Sequence, residues 1–319
     1  MTNFDEHTTV LVTGGAGFIG SNLVESLLKK GCQVRILDDL STGKEKNLSS
    51  FSEKFEFFKG SLLDENLLKK CLKNVDIVFH TAAIPSVPRS VKEPLPTSKI
   101  NILGSLNVLE NARMAKVKRL INSSSSSVYG DTDVLPKHEE MPPQPLSPYA
   151  IAKLSIEYFG RVYSNLYHLE VFNLRYFNVF GPRQDPLSNY AAVIPLFIKA
   201  FLKNESPIIY GDGEQTRDFT FVNDVVQANL KAATAKTGIG DNFNIAGGQK
   251  ISINDLVKLI QKISKRNISA KNDPPRPGDI LHSHASISKA KKHLDWQPTY
   301  SLEEGLKKTF DWFSKHYAS

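Results

Sequence analysis

The chain has little cysteine and no long apolar run. Only two of its 319 residues are cysteines, Cys32 and Cys71, and they do not form a pair with metal-ligand spacing. We therefore expect both to be small buried residues in a reduced compartment, and we expect no metal site. No apolar stretch approaches the roughly twenty residues that a membrane helix needs, and the N-terminal residues are polar. These absences favour a cytoplasmic protein without a membrane span.

Positive charge exceeds negative charge only modestly. Basic residues outnumber acidic ones by 40 to 33, which gives a net charge of +7. The excess is scattered in pairs such as Lys69-Lys70 and Lys307-Lys308, and no basic stripe alternates with aromatic residues. We therefore do not expect nucleic-acid binding. A small polyanionic ligand fits this charge at least as well.

Short apolar segments alternate with helical patterns over the first half of the chain. The predicted strands cover residues 10–12, 33–37, 55–59, 75–80, 119–123 and 169–175, and helices between them include 21–30, 65–72 and 103–115. Such alternation indicates an α/β fold, a doubly wound parallel sheet of Rossmann type with helices on both faces.

Three glycines follow the first predicted strand and open the first helix. Gly14, Gly17 and Gly20 have GxxGxxG spacing, which allows a tight turn and close backbone approach to a pyrophosphate at a helix N-terminus. Asp38 closes the second strand about twenty residues further on, where a carboxylate can accept hydrogen bonds from an adenosine ribose and repel a 2′-phosphate. Asp39 is a rival for this role, but Asp38 ends the apolar strand. The motif predicts an NAD+ site, with NAD+ favoured over NADP+.

Beyond residue 179 the pattern becomes irregular. It predicts a short strand at residues 207–210 and helices at 191–202, 253–262 and 302–313. We predict an NAD-binding domain of residues 1–178 plus roughly 219–246, and a smaller, mainly C-terminal substrate-binding domain of residues 179–218 and 247–319.

A tyrosine and a lysine lie one helical turn apart after a serine run. Tyr149 and Lys153 share a helix face. A nearby ammonium favours the phenolate, so we expect the pKa of Tyr149 to fall from about 10 toward neutrality. A tyrosine tuned in this way can take a proton from a sugar hydroxyl. Ser125, within the run of residues 123–127, could share that proton.

The GxxGxxG turn, the serine run and the YAIAK motif of residues 149–153 together resemble the extended short-chain dehydrogenase/reductase superfamily along essentially the whole chain. Within it the chain is similar to the UDP-hexose 4-epimerases, especially those acting on UDP-N-acetylglucosamine. The supporting stretches are SSSSSVYGD (123–131), LSPYAIAK (146–153), LRYFNVFGPRQDP (174–186), YAAVIP (190–195), YGDGEQTRDFTFVNDV (210–225) and RPGDILHS (276–283). The resemblance implies a UDP-sugar substrate, an NAD+ cofactor and a homodimer.

The resemblance also implies roles for single residues. Tyr149 would be the base, Lys153 would lower its pKa and hold the nicotinamide ribose, and Ser125 would relay the proton. The implied cofactor contacts are Gly14, Gly17, Phe18, Ile19, Gly20, Asp38, Leu62, Ala82, Ala83, Asn101, Ser123, Tyr149, Lys153 and Tyr176. The implied substrate contacts are Ser86, Ser125, Ser126, Asn178, Ala192, Val193, Tyr210, Arg217, Arg276, Asp279 and Ser283, with both arginines on the diphosphate and Asp279 on the uridine ribose.

Two positions separate related reactions. In the 4,6-dehydratases an Asp-Glu pair stands where this chain has Ser126 and Ser127, and a hydroxyl is too weak an acid or base for that chemistry. At Ser283 a bulky family tyrosine would restrict the pocket to plain hexoses, whereas a small residue admits a 2-acetamido group. We therefore expect UDP-GlcNAc/UDP-GalNAc interconversion, with UDP-Glc/UDP-Gal also allowed.

Two alternatives stay open. A UDP-glucuronate 4-epimerase shares the serine run and would need a cationic pocket for the sugar carboxylate. A regulatory protein that binds NAD or a nucleotide sugar without catalysis would not need to keep Tyr149, Lys153 and Ser125 together. The resemblance further implies that the helices at 103–115 and 149–163 build a dimer interface; the alternative is internal packing.

Overall fold

The computed structural model describes residues 4–187, 191–275 and 281–317. Its strands are β1 (Thr9–Thr13), β2 (Gln33–Asp38), β3 (Phe55–Lys59), β4 (Ile77–His80), β5 (Arg119–Ser125), β6 (Glu170–Tyr176), β7 (Val179–Phe180), β8 (Ile208–Tyr210), β9 (Thr216–Asp218), β10 (Thr220–Phe221), β11 (Asn242–Ile245), β12 (Lys250–Ser252) and β13 (Lys271–Asp273).

The helices alternate with these strands. They are α1 (Phe18–Lys29), α2 (Glu65–Cys71), α3 (Val87–Lys92), α4 (Pro94–Ser98), α5 (Ser105–Met114), α6 (Pro148–Tyr167), α7 (Val193–Leu202), α8 (Val222–Thr234), α9 (Ile253–Ser264), α10 (Ser288–Leu294) and α11 (Leu302–Tyr317). A π-helical turn, Lys99–Gly104, leads into α5, and short 3-10 helices cover Glu45–Asn47, Ser49–Lys54 and Ser126–Tyr129. Within the described ranges, no helix combines the length and apolarity needed to cross a bilayer.

Seven strands form one parallel sheet in the order β11-β6-β5-β4-β1-β2-β3. The predicted α/β fold of Rossmann type is therefore confirmed; the edge strand β11 was absent from the prediction. The strand order reverses beside β1, because β2 and β3 lie on one side of it and β4, β5 and β6 on the other. Ligands bind such sheets at the carboxyl ends of the strands at this reversal point.

Helices bury both faces of the sheet, and the strands are apolar on both faces as a result. Alternate residues of β1 show the division, because Val10 and Val12 pack into the core that includes α1 and α8, while Leu11 packs into the opposite core with α2 and α5. All three residues are fully buried. Burial of each such side chain stabilises the fold by about 1.5–3 kcal/mol.

The C-terminal elements form a further core of their own. Helices α7, α9 and α11 pack together through side chains that include Ile198, Leu256 and Phe313. Three two-stranded sheets, β7–β10, β8–β13 and β9–β12, border this part of the molecule. Helix α10 instead packs on β11 and α8, where Leu294 joins the core of the large sheet. The C-terminal core takes in Phe18 and Ile19, which follow β1, and Val179 and Phe180, which follow β6, so it lies at the carboxyl ends of these two strands.

Candidate active site

The glycine turn after β1 is too tight for side chains. Gly14 has a φ of +69°, and a Cβ there would lie 2.7 Å from the backbone of Ala82. A Cβ on Gly20 would lie 2.1 Å from the carbonyl oxygen of Gly14. Gly17 caps α1 without a side-chain hydrogen bond, so the helix begins with backbone N–H groups that suit an anion. The turn fits the pyrophosphate of a dinucleotide.

Asp38 is fixed beside this turn. Its buried carboxylate accepts hydrogen bonds from the N–H groups of Ala16 at 2.9 Å and Leu40 at 2.8 Å. Burial raises the pKa of Asp38, and both hydrogen bonds oppose that rise. Asp39, by contrast, is exposed and accepts hydrogen bonds from Ser41. A carboxylate has about four acceptor positions, so Asp38 retains capacity for ribose hydroxyls.

The other predicted cofactor residues surround the same strand ends. Ala82 lies against Gly14, and Leu62 is buried against Gly104. The side-chain amide of Asn101 holds the backbone of Ile84, accepting from its N–H at 2.8 Å and donating to its oxygen at 3.1 Å. Asn101 thereby fixes the segment that contains the predicted positions 82 and 83. At the start of α1, the partly buried Phe18 and Ile19 pack against the C-terminal core.

Ser123 and Tyr176 meet between β5 and β6. Their hydroxyl oxygens lie 3.2 Å apart, and the tyrosine hydroxyl also exchanges hydrogen bonds with the amide of Asn229 at 2.9–3.1 Å. Burial raises the pKa of Tyr176 to about 12, so this tyrosine is neutral at physiological pH. Asn229 belongs to α8 and was not among the predicted residues.

Helix α6 positions Tyr149 and Lys153. Ser147 caps it by accepting from the N–H of Ala150 at 3.1 Å, and Pro148 occupies its first turn. The ammonium of Lys153 lies 5.9 Å from the ring centre of Tyr149 and donates to the oxygen of Ser123 at 2.6 Å. This geometry brings the predicted pair to the carboxyl end of β5.

The phenol of Tyr149 hydrogen-bonds Ser125, and this contact lowers its pKa, but burial has the larger effect and raises it above 10. The prediction that the pKa falls toward neutrality is therefore wrong for the chain in this structure. The physical reason is that Lys153 directs its ammonium at a backbone oxygen of β5. Burial also lowers the pKa of Lys153 to about 8, and the negative charge of Glu157 opposes that change.

The serine run turns from β5 into a 3-10 helix. Ser125 begins the turn by accepting from the N–H of Ser127 at 3.2 Å. Ser126 is partly exposed in the first position of this helix, beside Ser125. The neighbouring Ser124 points into the protein and donates to the carboxylate of Glu157 at 2.5 Å. Ser125 therefore belongs to the proposed site, whereas the alternate residue Ser124 belongs to the structure that supports it.

A cavity of about 260 Å³ is lined by residues that follow β6 and by residues of the C-terminal core. Its lining brings together five of the predicted substrate residues, which are Asn178, Ala192, Val193, Tyr210 and Arg217. Arg217 donates to the oxygens of Thr216 and Leu281. Asn178 adopts a φ of +35° and donates to the oxygen of Asp218 at 3.0 Å. Its amide also lies 3.5 Å from the hydroxyl of Ser283, which is buried at the same end of β6.

Three other predicted substrate residues do not line this cavity or lie outside the described residues. Ser86 caps α3 by accepting from the N–H of Arg89 at 3.1 Å, and it is nearly buried. Arg276 and Asp279 lie outside the described residues.

Two of the histidines, His80 and His284, have structural partners near the site. His80 is buried between the hydroxyls of Thr13 and Ser105, and burial lowers its pKa to about 3, so it stays neutral. His284 contacts the carboxylate of Asp218 at 3.1 Å. Among the residues for which a placement is given, no group of three or more His, Cys, Asp or Glu could hold a metal ion.

The sequence analysis did not identify several residues that hold the site in place. Ser90 accepts from the N–H of Tyr149 at 3.2 Å, and Glu157 forms a buried ion pair with Arg175. Glu157 follows Lys153 by one helical turn, and this spacing could have indicated it. No sequence signal points to Ser90, because its partner lies 59 residues away.

Known proteins resemble this chain over nearly its whole length. A family model described as GDP-mannose 4,6 dehydratase matches residues 11–309. The UDP-glucose 4-epimerase of Mycolicibacterium smegmatis is 40% identical over 307 residues, which are 95% of this chain and 97% of that protein.

Two solved structures extend this similarity. The UDP-N-acetylglucosamine 4-epimerase of Methanobrevibacter ruminantium, in complex with UDP-N-acetylmuramic acid, is 43% identical with a TM-score of 0.93, covering 97% of this chain and 99% of that one. The UDP-glucuronic acid 4-epimerase of Bacillus cereus, in complex with UDP-glucuronic acid and NAD, is 36% identical with a TM-score of 0.90, covering 97% and 100%.

Proposed function

This chain belongs to the GDP-mannose 4,6-dehydratase family of extended short-chain dehydrogenases/reductases, and from that premise we propose that it epimerises C4 of a UDP-sugar with NAD+ as the hydride carrier. The observation that supports the proposal most is the grouping of Ser125, Tyr149 and Lys153 at the end of β5, at the same edge of the sheet as the glycine turn after β1. The predicted homologous superfamily is confirmed by the same comparisons.

The residues that would hold NAD+ are the glycine turn for the pyrophosphate, Asp38 for the adenosine ribose and Lys153 for the nicotinamide ribose. When bound, NAD+ supplies a hydride acceptor and a cationic ring whose field favours the phenolate of Tyr149. The hydroxyls of Ser123 and Tyr176 fix the neighbouring wall between β5 and β6.

Tyr149 would take the proton from the sugar 4-hydroxyl and later return it to the oxygen of the 4-keto sugar. Ser125 already hydrogen-bonds the phenol, so it can share the proton during transfer. Arg217 and Tyr210, which line the cavity of about 260 Å³, would hold the UDP portion. Arg276 and Asp279 would complete this anchor. A substrate held by its nucleotide leaves the keto sugar free to present its other face.

The preferred substrate pair that we propose is UDP-GlcNAc/UDP-GalNAc. Ser283 is buried beside Asn178, which lines the cavity, and we propose that its small side chain leaves room for a 2-acetamido group. The plain hexoses lack this group and fit the same space, so UDP-Glc/UDP-Gal interconversion is also expected.

A UDP-glucuronate 4-epimerase is the second candidate, and the observation that favours it is the buried ammonium of Lys137. This ammonium donates to the oxygen of Gly130, directly after the serine turn, at 3.1 Å. The negative charge of Asp131 favours this ammonium and the charge of Arg217 repels it, so two cationic groups, partly offset by one carboxylate, lie near the proposed sugar site. An anionic sugar would benefit from such a field.

The proposed domain division keeps residues 1–178 and roughly 219–246 for the cofactor and residues 179–218 and 247–319 for the UDP-sugar. We further propose a homodimer formed through α6. Its exposed apolar residues are Ile151, Tyr158, Val162 and Leu166. Leu95 of α4 and Leu103 of the π-helical turn are also exposed, and both elements pack against α6. Exposed apolar side chains at helical spacing suit pairing with a second copy.

The experiment that tests the function is incubation of the purified protein with UDP-GlcNAc, UDP-Glc and UDP-GlcA separately, followed by proton NMR. We expect UDP-GalNAc from the first and UDP-Gal from the second. Conversion of UDP-GlcA alone would instead support the second candidate. If none of the three changes while NAD+ binds, the proposed function is wrong.

A further inference from the structure

A buried ion pair contacts the serine run of the candidate active site. Glu157 and Arg175 form two hydrogen bonds, at 2.8 and 2.7 Å, and their side chains are 1% and 2% exposed. One carboxylate oxygen of Glu157 also accepts the 2.5 Å hydrogen bond from Ser124. The carboxylate is thus held by three donors from two neighbouring strands.

This carboxylate lies on the same face of α6 as the proposed catalytic residues. Tyr149, Lys153 and Glu157 follow one another at intervals of one helical turn. Ser124, which Glu157 holds, lies between the residue that binds the Lys153 ammonium and the residue that hydrogen-bonds Tyr149. One side chain therefore fixes both contacts.

We infer that Glu157 is a positioning residue for the proposed epimerisation, because it locks the serine run through Ser124 and provides the negative charge that stabilises the ammonium of Lys153. The inference rests on the proposed function. Glu157 does not touch the reacting atoms, so it acts through Ser125, Tyr149 and Lys153.

The charged and titratable groups around Lys153 support this assignment. On α6 its neighbours are Tyr149 and Glu157, and its charge also acts on His80 of β4, which burial keeps neutral. In the described part of the chain, Glu157 is the one carboxylate whose charge acts on Lys153. Arg175 extends to the other side, over the ring of Tyr129 at 4.7 Å. The ion pair therefore presents its negative end to Lys153.

Glu157→Gln tests the inference, because it keeps the shape and the hydrogen-bond acceptor but removes the charge. Two measurements apply, the pH dependence of kcat with the best UDP-sugar and the pH dependence of Lys153 acetylation, read by mass spectrometry. We expect the alkaline limb and the labelling midpoint of Lys153 to move to lower pH by about half a unit or more. We also expect kcat to fall about tenfold or more while KM changes less than about threefold.

Glu170→Gln is the matched control. Glu170 pairs with Arg119 at 2.7 Å at the opposite ends of the same two strands, β5 and β6. This variant loses an ion pair that lies away from the α6 face carrying Tyr149 and Lys153. Its midpoint for Lys153 labelling should therefore match that of the wild type. If Glu157→Gln matches Glu170→Gln in midpoint, pH profile and kcat, the inference is overturned.

A second variant covers the case in which Glu157→Gln does not fold, because that change leaves Arg175 unpaired. Glu157→Gln combined with Arg175→Met removes both charges, and the Lys153 midpoint should still fall. A wild-type midpoint in the folded double variant would contradict the inference. Since labelling does not need turnover, a wild type that converts none of the sugars would refute the proposed function without deciding the labelling result.

Discussion

The ammonium of Lys153 donates a 2.6 Å hydrogen bond to the carbonyl oxygen of Ser123. This contact joins α6 to the end of β5, so the direction of the lysine is set by the sheet. The phenol of Tyr149 shares a hydrogen bond with the partly buried Ser125, two residues further along the strand. Lysine and tyrosine are therefore held by neighbouring residues of one strand, and their relative placement depends on how that strand ends.

Tyr149→Phe removes the phenol oxygen and keeps the ring. We expect turnover of the UDP-sugar to fall by about 10²–10⁴, since the proposed general base is lost, while UDP-sugar affinity changes less than about threefold. NMR rates and calorimetric titration measure the two quantities. Tyr158→Phe, on the exposed face of the same helix, should leave both unchanged. Substantial activity in Tyr149→Phe would contradict the proposed role, and a wild type that binds without turnover would support the regulatory alternative.

His80 should make the fold sensitive to acid. Its pKa is about 3 in the folded chain against 6.5 ordinarily, so below pH 6.5 the unfolded chain binds a proton that the folded chain does not. Stability therefore falls as pH falls through this window, by about 2 kcal/mol between pH 7 and pH 5. Urea unfolding at both pH values should show that loss reduced in His80→Gln. The exposed His7→Gln should retain the wild-type loss; equal pH dependence in all three would contradict the prediction.

Gly20→Ala should open the glycine turn. The added Cβ would lie 2.1 Å from the oxygen of Gly14, so we expect a loss of about 1–3 kcal/mol in the free energy of unfolding, as for overpacked cores. NAD+ affinity should also fall by about tenfold or more. At Gly17 the nearest atom to the Cβ is 3.1 Å away, so Gly17→Ala should lose less stability. Denaturant unfolding and NAD+ titration check both variants; equal stability in the two would contradict the steric account.

Local patterns predicted the sheet and the glycine turn, because strand burial and tight turns depend on neighbouring residues. Gly14 and Gly20 could be identified before any tertiary contact was known. The supporting pairs could not, since Arg175 reaches Glu157 from 18 residues away in another element. The prediction for the pKa of Tyr149 was wrong for the same reason. Sequence spacing places the lysine nearby, but only the packed sheet shows where its ammonium points.

The exposed stripe of α6 should hold two copies together. Val162 is 44% exposed within this stripe, and Val162→Glu would place a charge in the proposed interface, where an unpaired buried charge is costly. We expect sedimentation equilibrium to give twice the chain mass for the wild type and the single chain mass for the variant. Val134→Glu, at a 55% exposed site outside the stripe, should remain dimeric. A monomeric wild type would exclude this interface.

Ser283→Tyr should narrow the substrate range. Ser283 is buried with its hydroxyl 3.5 Å from the amide of Asn178, so a phenol ring must extend into the space proposed for the 2-acetamido group. Steric exclusion of a small group is worth about 1–3 kcal/mol, or 10–200-fold in rate. We expect kcat/KM for UDP-GlcNAc to fall by that factor while kcat/KM for UDP-Glc changes less than about fivefold.

Ser288→Tyr is the control for added bulk on the same segment, because Ser288 is exposed at the start of α10. Its ratio of kcat/KM for the two substrates should equal that of the wild type. An equal loss of both substrates in Ser283→Tyr would show that the tyrosine blocks the cavity as a whole. An unchanged ratio with full activity would show that Ser283 does not face the sugar. Only a selective loss of UDP-GlcNAc supports its proposed role in substrate selection.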